Sequence, residues 1–126
     1  EYGINLGMAF QMKDDIFDYQ TKGILGKPIG NDIKENKLTL PIIYALSKVG
    51  RQEKNEVLRL LKKSKRSSDV VKKVIDFTIA NGGVDYAIKE MNSFKDKAII
   101  ALNYFPDSAY KKSLEEMAQF IVDRKS

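Results

Sequence analysis

The sequence contains no cysteine and no histidine. Without cysteine there can be no disulfide, no thiolate metal site and no cysteine nucleophile. Without histidine the commonest general base and the usual zinc ligand are gone, which removes many hydrolase mechanisms. No apolar run approaches the roughly 18 residues that a membrane span requires, and no stretch reads as a signal peptide. The expected location is cytoplasmic, with no membrane span. The 126 residues make one domain or less, and 43% hydrophobic with 31% charged residues is a globular composition rather than a disordered one.

The formal charge of +5 and isoelectric point near 9.3 raise the question of nucleic acid. The lysines, however, are spread along every helical segment, and Lys62-Lys63-Ser64-Lys65-Arg66 is the one dense basic run. That run reads as a solvated helix end, favourable to the helix dipole. It lacks the interleaved aromatics of a nucleic-acid patch, so no nucleic-acid partner is expected.

Periodicity predicts an all-α chain of about six helices, packed antiparallel through short connections. The first covers residues 2–20, with Leu6, Phe10 and Phe17 on roughly one side. A long loop from Thr21 to Leu38 follows, punctuated by Gly23, Gly26, Pro28 and Gly30. The next helix covers Thr39 to Val49, with Thr39 as N-cap, Pro41 in its first turn, Ile42, Leu46 and Val49 inward, and Gly50 as C-cap. Gln52 to Lys63 is amphipathic on Val57, Leu58, Leu60 and Leu61. Asp69 to Ala80 carries Val70, Val71, Val74, Ile75 and Phe77 and stops at Gly82-Gly83. The cleanest pattern runs from Val84 to Tyr104, where Met91 and Phe94 read as core. After Pro106, Asp107 or Ser108 caps a last helix reaching about Arg124, on Tyr110, Leu114, Met117, Ala118 and Ile121.

The chemistry concentrates in Gly7-Met8-Ala9-Phe10-Gln11-Met12-Lys13-Asp14-Asp15-Ile16-Phe17-Asp18. Gln11, Asp15 and Asp18 share one stripe, and Asp14 lies a turn from both Gln11 and Asp18. Along a helix, Asp14 and Asp18 would stand about 6 Å apart, where two carboxylates repel unless water screens them or a cation bridges them. Hard divalent cations, magnesium above all, take such oxygen ligands and keep waters and substrate phosphates in their other positions. Alone, such a motif is most often a solvated acidic face. Here it is followed by Leu25-Gly26-Lys27-Pro28-Ile29-Gly30-Asn31-Asp32 and Lys37-Leu38-Thr39-Leu40-Pro41. Lysines and a glycine-rich loop close to carboxylates suggest an anion carried by metal.

The pattern GxxFQxxDDxxD, then GKxxGxD, then KxTLP resembles the trans-polyprenyl diphosphate synthases, at their second aspartate-rich motif and the segment after it. The run from Leu114 to Arg124 is similar to the family's closing helix. The resemblance implies a C-terminal fragment, residues 1–126, of an isoprenoid-synthase-type helical bundle. Residues 1–41 would carry the motifs and 42–126 the packing helices. The family's first aspartate-rich motif has no counterpart here, so the fragment alone is expected to be inactive.

The implied reaction condenses an allylic diphosphate with isopentenyl diphosphate, with Mg²⁺ assisting ionisation. Carried over position by position, Asp14 and Asp18 are metal ligands, Asp15 joins Asp14 as a catalytic carboxylate, and Asp32 orients metal-bound water. Lys27 and Lys37 approach the allylic diphosphate, Lys27 with a catalytic role. Gln11 faces substrate, and Phe10 lines the hydrocarbon tunnel or else belongs to the core. Asn36 stands where the family usually has glycine, and Lys13 where it is commonly apolar. The partners implied are the two diphosphates, the missing N-terminal half and, when intact, a second copy in a homodimer. The alternative is a non-catalytic helical subunit or interaction module of a prenyl synthase complex. Such a subunit would be expected to lose the acids, which are intact here.

Overall fold

The computed structural model describes residues 1–17, 19, 38–63 and 68–124. Among them all regular structure is helical. The elements are α1 (Tyr2–Phe17), α2 (Leu40–Ser47), α3 (Arg51–Lys63), α4 (Ser68–Ala80), α5 (Gly83–Ala101), a 3₁₀ turn (Leu102–Tyr104) and α6 (Ala109–Asp123). Helix α5, with 19 residues, is about 28 Å long. It is the axis of the fold, packing against α1, α2, α4 and α6.

Two hydrophobic clusters flank that axis. Ile42 and Leu46 of α2 meet Val57 and Leu61 of α3 and Val71, Val74 and Ile75 of α4, with Tyr19 buried among them. Ala9 and Ile16 of α1 meet Ala87 and Met91 of α5 and Val122 of α6. Val84 packs against both clusters. The second cluster includes short side chains, Ala9 and Ala87, and elsewhere on α5 and α6 Ala98 and Ala118 are fully buried as well. Short side chains let helix axes approach closely, which a count of large apolar residues does not reveal.

The helix ends follow local chemistry. Ser108 caps α6, its Oγ accepting from the Lys111 amide at 3.1 Å. Gly82 takes φ +77° just before α5, a left-handed conformation that suits glycine. Gly83 begins α5 buried beneath α2: a Cβ there would fall 2.1 Å from the Pro41 carbonyl oxygen. Tyr44 of α2 and Tyr86 of α5 stack face to face beside this junction, ring centres 4.1 Å apart. The buried Thr78 donates to the Val74 carbonyl at 2.8 Å, which satisfies its hydroxyl within α4.

Several boundaries and faces differ from the sequence expectation. Helix α1 closes at Phe17, and the Tyr19 amide donates to the Ile16 carbonyl at 3.0 Å, a tighter turn than an α-helix makes. Thr39 precedes α2 with extended backbone but makes no side-chain cap; its Oγ1 lies 3.2 Å from the Tyr19 hydroxyl. Gly50 ends no helix. Its carbonyl accepts from the Lys54 amide at 2.9 Å, so it opens α3, while Lys48 closes α2. The run predicted to Tyr104 is α-helical only to Ala101 and tightens to 3₁₀ beyond. On α6, Tyr110 is 85% exposed and Met117 is exposed, and burial falls on Ala118 and Val122. On α1 the buried residues are Ala9 and Ile16.

Candidate active site

Asp14 and Asp15 stand at the C-terminal end of α1. Gln11 Nε2 donates to Asp15 Oδ1 at 3.2 Å, across one helical turn, as their i, i+4 spacing allows. Asp14 points elsewhere. Its Oδ1 accepts from Arg124 Nη2 at 2.7 Å, a pair that joins residues 110 positions apart and ties the end of α6 to the end of α1.

Arg124 is held as well as paired. Its guanidinium carbon lies 4.5 Å from the ring centre of Phe10 and 5.2 Å from that of Phe17. The side chain is only 18% exposed, and its Nε is buried with no hydrogen-bond partner among the described residues. The two phenylalanines therefore each present a ring face to a cation. Phe10 remains 44% exposed, outside both hydrophobic clusters. Lys13 Nζ lies 5.2 Å from the Phe17 ring centre. Its pKa is lowered, first by burial and then by the positive charge of Arg124, with Asp123 opposing.

A second feature of α1 is a stripe of mixed character. Ile4, Met8, Gln11 and Asp15 follow one another at 4-3-4 spacing, which puts them on one face. Ile4, Met8 and Gln11 are exposed and Asp15 is half-buried. The stripe is apolar toward the N-terminus and acidic toward the C-terminus, over about 16 Å. Gly3 and Gly7 also have open space where a Cβ would stand. The sequence reading found the acidic end of this stripe and missed Ile4 and Met8, although their spacing from Gln11 was there to count.

Of the predicted site residues, Gln11 and Asp15 are brought together, Asp14 pairs with Arg124, and Phe10 flanks that pair. Asp18, Lys27, Asp32 and Lys37 lie outside the described residues. Among the described residues no three acidic groups converge. Asp14 and Asp15 nevertheless fit magnesium by donor chemistry. That ion is commonly held by one or two carboxylates together with substrate phosphates.

Comparison with known proteins bears directly on these motifs. The profile of the polyprenyl synthetase family matches residues 1–78, which include the acids, the glycine-rich loop and α2. The chain belongs to this family. An octaprenyl diphosphate synthase of Haemophilus influenzae is 32% identical over 98% of the chain. A geranylfarnesyl diphosphate synthase of Aeropyrum pernix is 33% identical over the same share. Among solved structures, a polyprenyl synthase from Caulobacter crescentus, complexed with calcium and isoprenyl diphosphate, superposes with TM-score 0.88 at 34% identity over 100% of the chain. A geranylgeranyl pyrophosphate synthase from Bacteroides thetaiotaomicron gives 0.84 at 37% identity over 98%. The chain spans 38% of the Haemophilus protein, 39% of the Aeropyrum and Caulobacter proteins and 40% of the Bacteroides one. Among its described residues this polyprenyl synthetase chain has only helical regular structure, like its structural relatives, and no helix there is long and apolar enough to cross a membrane.

Proposed function

We propose that this chain is the C-terminal part of a trans-prenyltransferase that joins an allylic diphosphate to isopentenyl diphosphate. The observation that carries the reading is the stripe of α1, apolar at Ile4 and Met8 and acidic at Asp15, inside a polyprenyl synthetase sequence. A substrate with a hydrocarbon tail and a diphosphate head needs both ends.

The difficult event is breaking an allylic C–O bond, which leaves a cation on carbon and negative charge on the departing diphosphate. No histidine base is required for that event; the requirement is electrostatic. Asp14 and Asp15, with Asp18, would hold Mg²⁺, and Asp32 would orient its water. Bound there, the metal supplies positive charge to the leaving group. Gln11 steadies Asp15 through its 3.2 Å hydrogen bond. Lys27 and Lys37 meet the allylic diphosphate as compact, mobile charges, suited to a group that arrives and leaves. Ile4 and Met8 give the hydrocarbon an apolar surface, and Phe10 offers its exposed edge at the flank. The remaining part of the enzyme brings the first aspartate-rich motif, and the complete enzyme is a homodimer.

The test is a condensation assay with Mg²⁺, isopentenyl diphosphate and farnesyl diphosphate, run on this chain alone and mixed with a separately made upstream portion. Product in the mixture only is the expected result. Product from the chain alone would refute the half-site, and no product from a mixture that retains helical circular dichroism would refute the catalytic reading.

A further inference from the structure

Asp14, a proposed metal ligand, is already engaged by a cation of this chain. The Arg124 pair is short at 2.7 Å, the guanidinium is clamped between Phe10 and Phe17, and Arg124 is mostly buried. Its nearer acid in sequence does not take it: Asp123 Oδ2 accepts instead from Gln119 Nε2 at 3.0 Å. The charged groups around the pair are Lys13 and Asp15 from α1 and Asp123 from the end of α6. We propose that Arg124 is an internal counter-ion for Asp14, which competes with a divalent cation for that carboxylate and couples the docking of the last turn of α6 to metal loading. The inference rests on the proposed metal role of Asp14.

The physical argument is one of charge. Two adjacent carboxylates repel when no cation is near, and a fixed guanidinium relieves Asp14 of that repulsion. The same positive charge opposes an incoming divalent ion, because the aromatic clamp keeps it close. Metal that draws Asp14 away removes the polar anchor of the Arg124 side chain and leaves the last turn of α6 held by ring contacts and the burial of Val122. The Arg124 amide, which donates to the Phe120 carbonyl at 2.9 Å, reports on that end.

The experiment titrates the complete synthase with magnesium chloride alone, without substrate. It follows the melting temperature and the hydrogen exchange of the amides at Asp123 and Arg124. In the wild type, Mg²⁺ should speed exchange at these amides. In Arg124→Gln, exchange should be fast from the outset, and half-saturation by Mg²⁺ should fall about 3- to 10-fold, as for removal of one partly screened unit charge. Arg124→Lys, which keeps the charge, should stay within about twofold of the wild type. An unchanged or raised half-saturation in Arg124→Gln overturns the proposal, as does wild-type exchange that ignores Mg²⁺; the latter measurement needs no variant to fold. Asp14→Asn separates the two levels. If it leaves the Mg²⁺ response intact, the metal role of Asp14 fails; if it abolishes that response while Arg124→Gln changes nothing, only the counter-ion fails.

Discussion

Replacing Gly83 by alanine adds one methyl group where α5 meets α2. That carbon would lie 2.1 Å from the Pro41 carbonyl oxygen, 2.9 Å from the Pro41 carbonyl carbon and 2.9 Å from Thr78 Cγ2. Two of these three atoms belong to backbone and cannot rotate away. The first turn of α2 must therefore retreat from α5 by roughly 1 Å, which loosens packing around Ile42, a fully buried residue. Alanine restricts the unfolded chain and returns about 0.4–1 kcal/mol. Overpacking against backbone costs about 3 kcal/mol or somewhat more. The net loss should be about 2–4 kcal/mol, a large share of the 5–15 kcal/mol typical of a domain. At about 4 °C per kcal/mol for this size, the melting temperature should fall by about 8–16 °C. Gly82→Ala is the control, because its Cβ makes only an ordinary 3.8 Å contact with Tyr44 and its penalty, about 1–2 kcal/mol, comes from φ +77° alone. Adding Thr78→Ser to Gly83→Ala should recover less than half of the loss, since the worst clash is with the carbonyl. Thermal and urea unfolding of the three variants decide the matter. A Gly83→Ala variant within 1 kcal/mol of wild type, or more stable than Gly82→Ala, would refute the close approach of α2 and α5.

Other expectations can be stated briefly. In the complete synthase, Asp14→Ala and Asp18→Ala should each lower turnover by orders of magnitude with helical circular dichroism intact, and near-wild-type rates would remove either from the metal site. Lys27→Ala should chiefly raise KM for the allylic diphosphate; unchanged kinetics would refute its role. Tyr2→Phe deletes the 2.7 Å bond from the Tyr2 hydroxyl to the Leu114 carbonyl and should lower stability by about 1 kcal/mol, read from the urea midpoint. The Tyr86 phenol is raised above its usual 10.0, first by a hydrogen bond to Glu90 and then by the charge of that residue. Its contribution to stability is therefore present below pH 10 and lost as pH rises through the raised value. Glu90→Gln should bring the tyrosinate absorbance transition back toward 10, and an unmoved transition would show that Glu90 is not the cause.

The legible part of this fold was its aliphatic half. Ile42, Leu46, Val57, Leu61, Val71, Val74 and Ile75 announce three helices by spacing alone, and all are buried together. Gly82, Pro41 and Ser108 mark helix boundaries through backbone chemistry that acts locally and can be read locally. The α1–α5–α6 half was harder to read, because its buried residues include Ala9, Ala87 and Ala118, which carry almost no hydrophobic signal. The surroundings of Phe10 and Phe17 were not legible for a different reason. Their partner is a charge at the far end of the chain, and periodicity senses only near neighbours. The acid motif itself was plain in sequence, and so was the family that carries it. The pairing of Asp14 with Arg124 was not, since an arginine at a helix end reads as solvated unless an aromatic pair beside an acid prompts a search for its cation.

The stack of Tyr44 on Tyr86 has an optical consequence. The chain has no tryptophan, so its near-ultraviolet absorption comes from six tyrosines and, more weakly, six phenylalanines. Two phenol rings 4.1 Å apart and 5° from parallel couple their electronic transitions and produce a dichroic signal that isolated tyrosines lack. One ring rides on α2, just after the Lys-Leu-Thr-Leu-Pro segment, and the other on the first turn of α5. The molecule thus carries a built-in chromophore pair at the joint between α2 and its central helix, and that joint can be watched by light without any label.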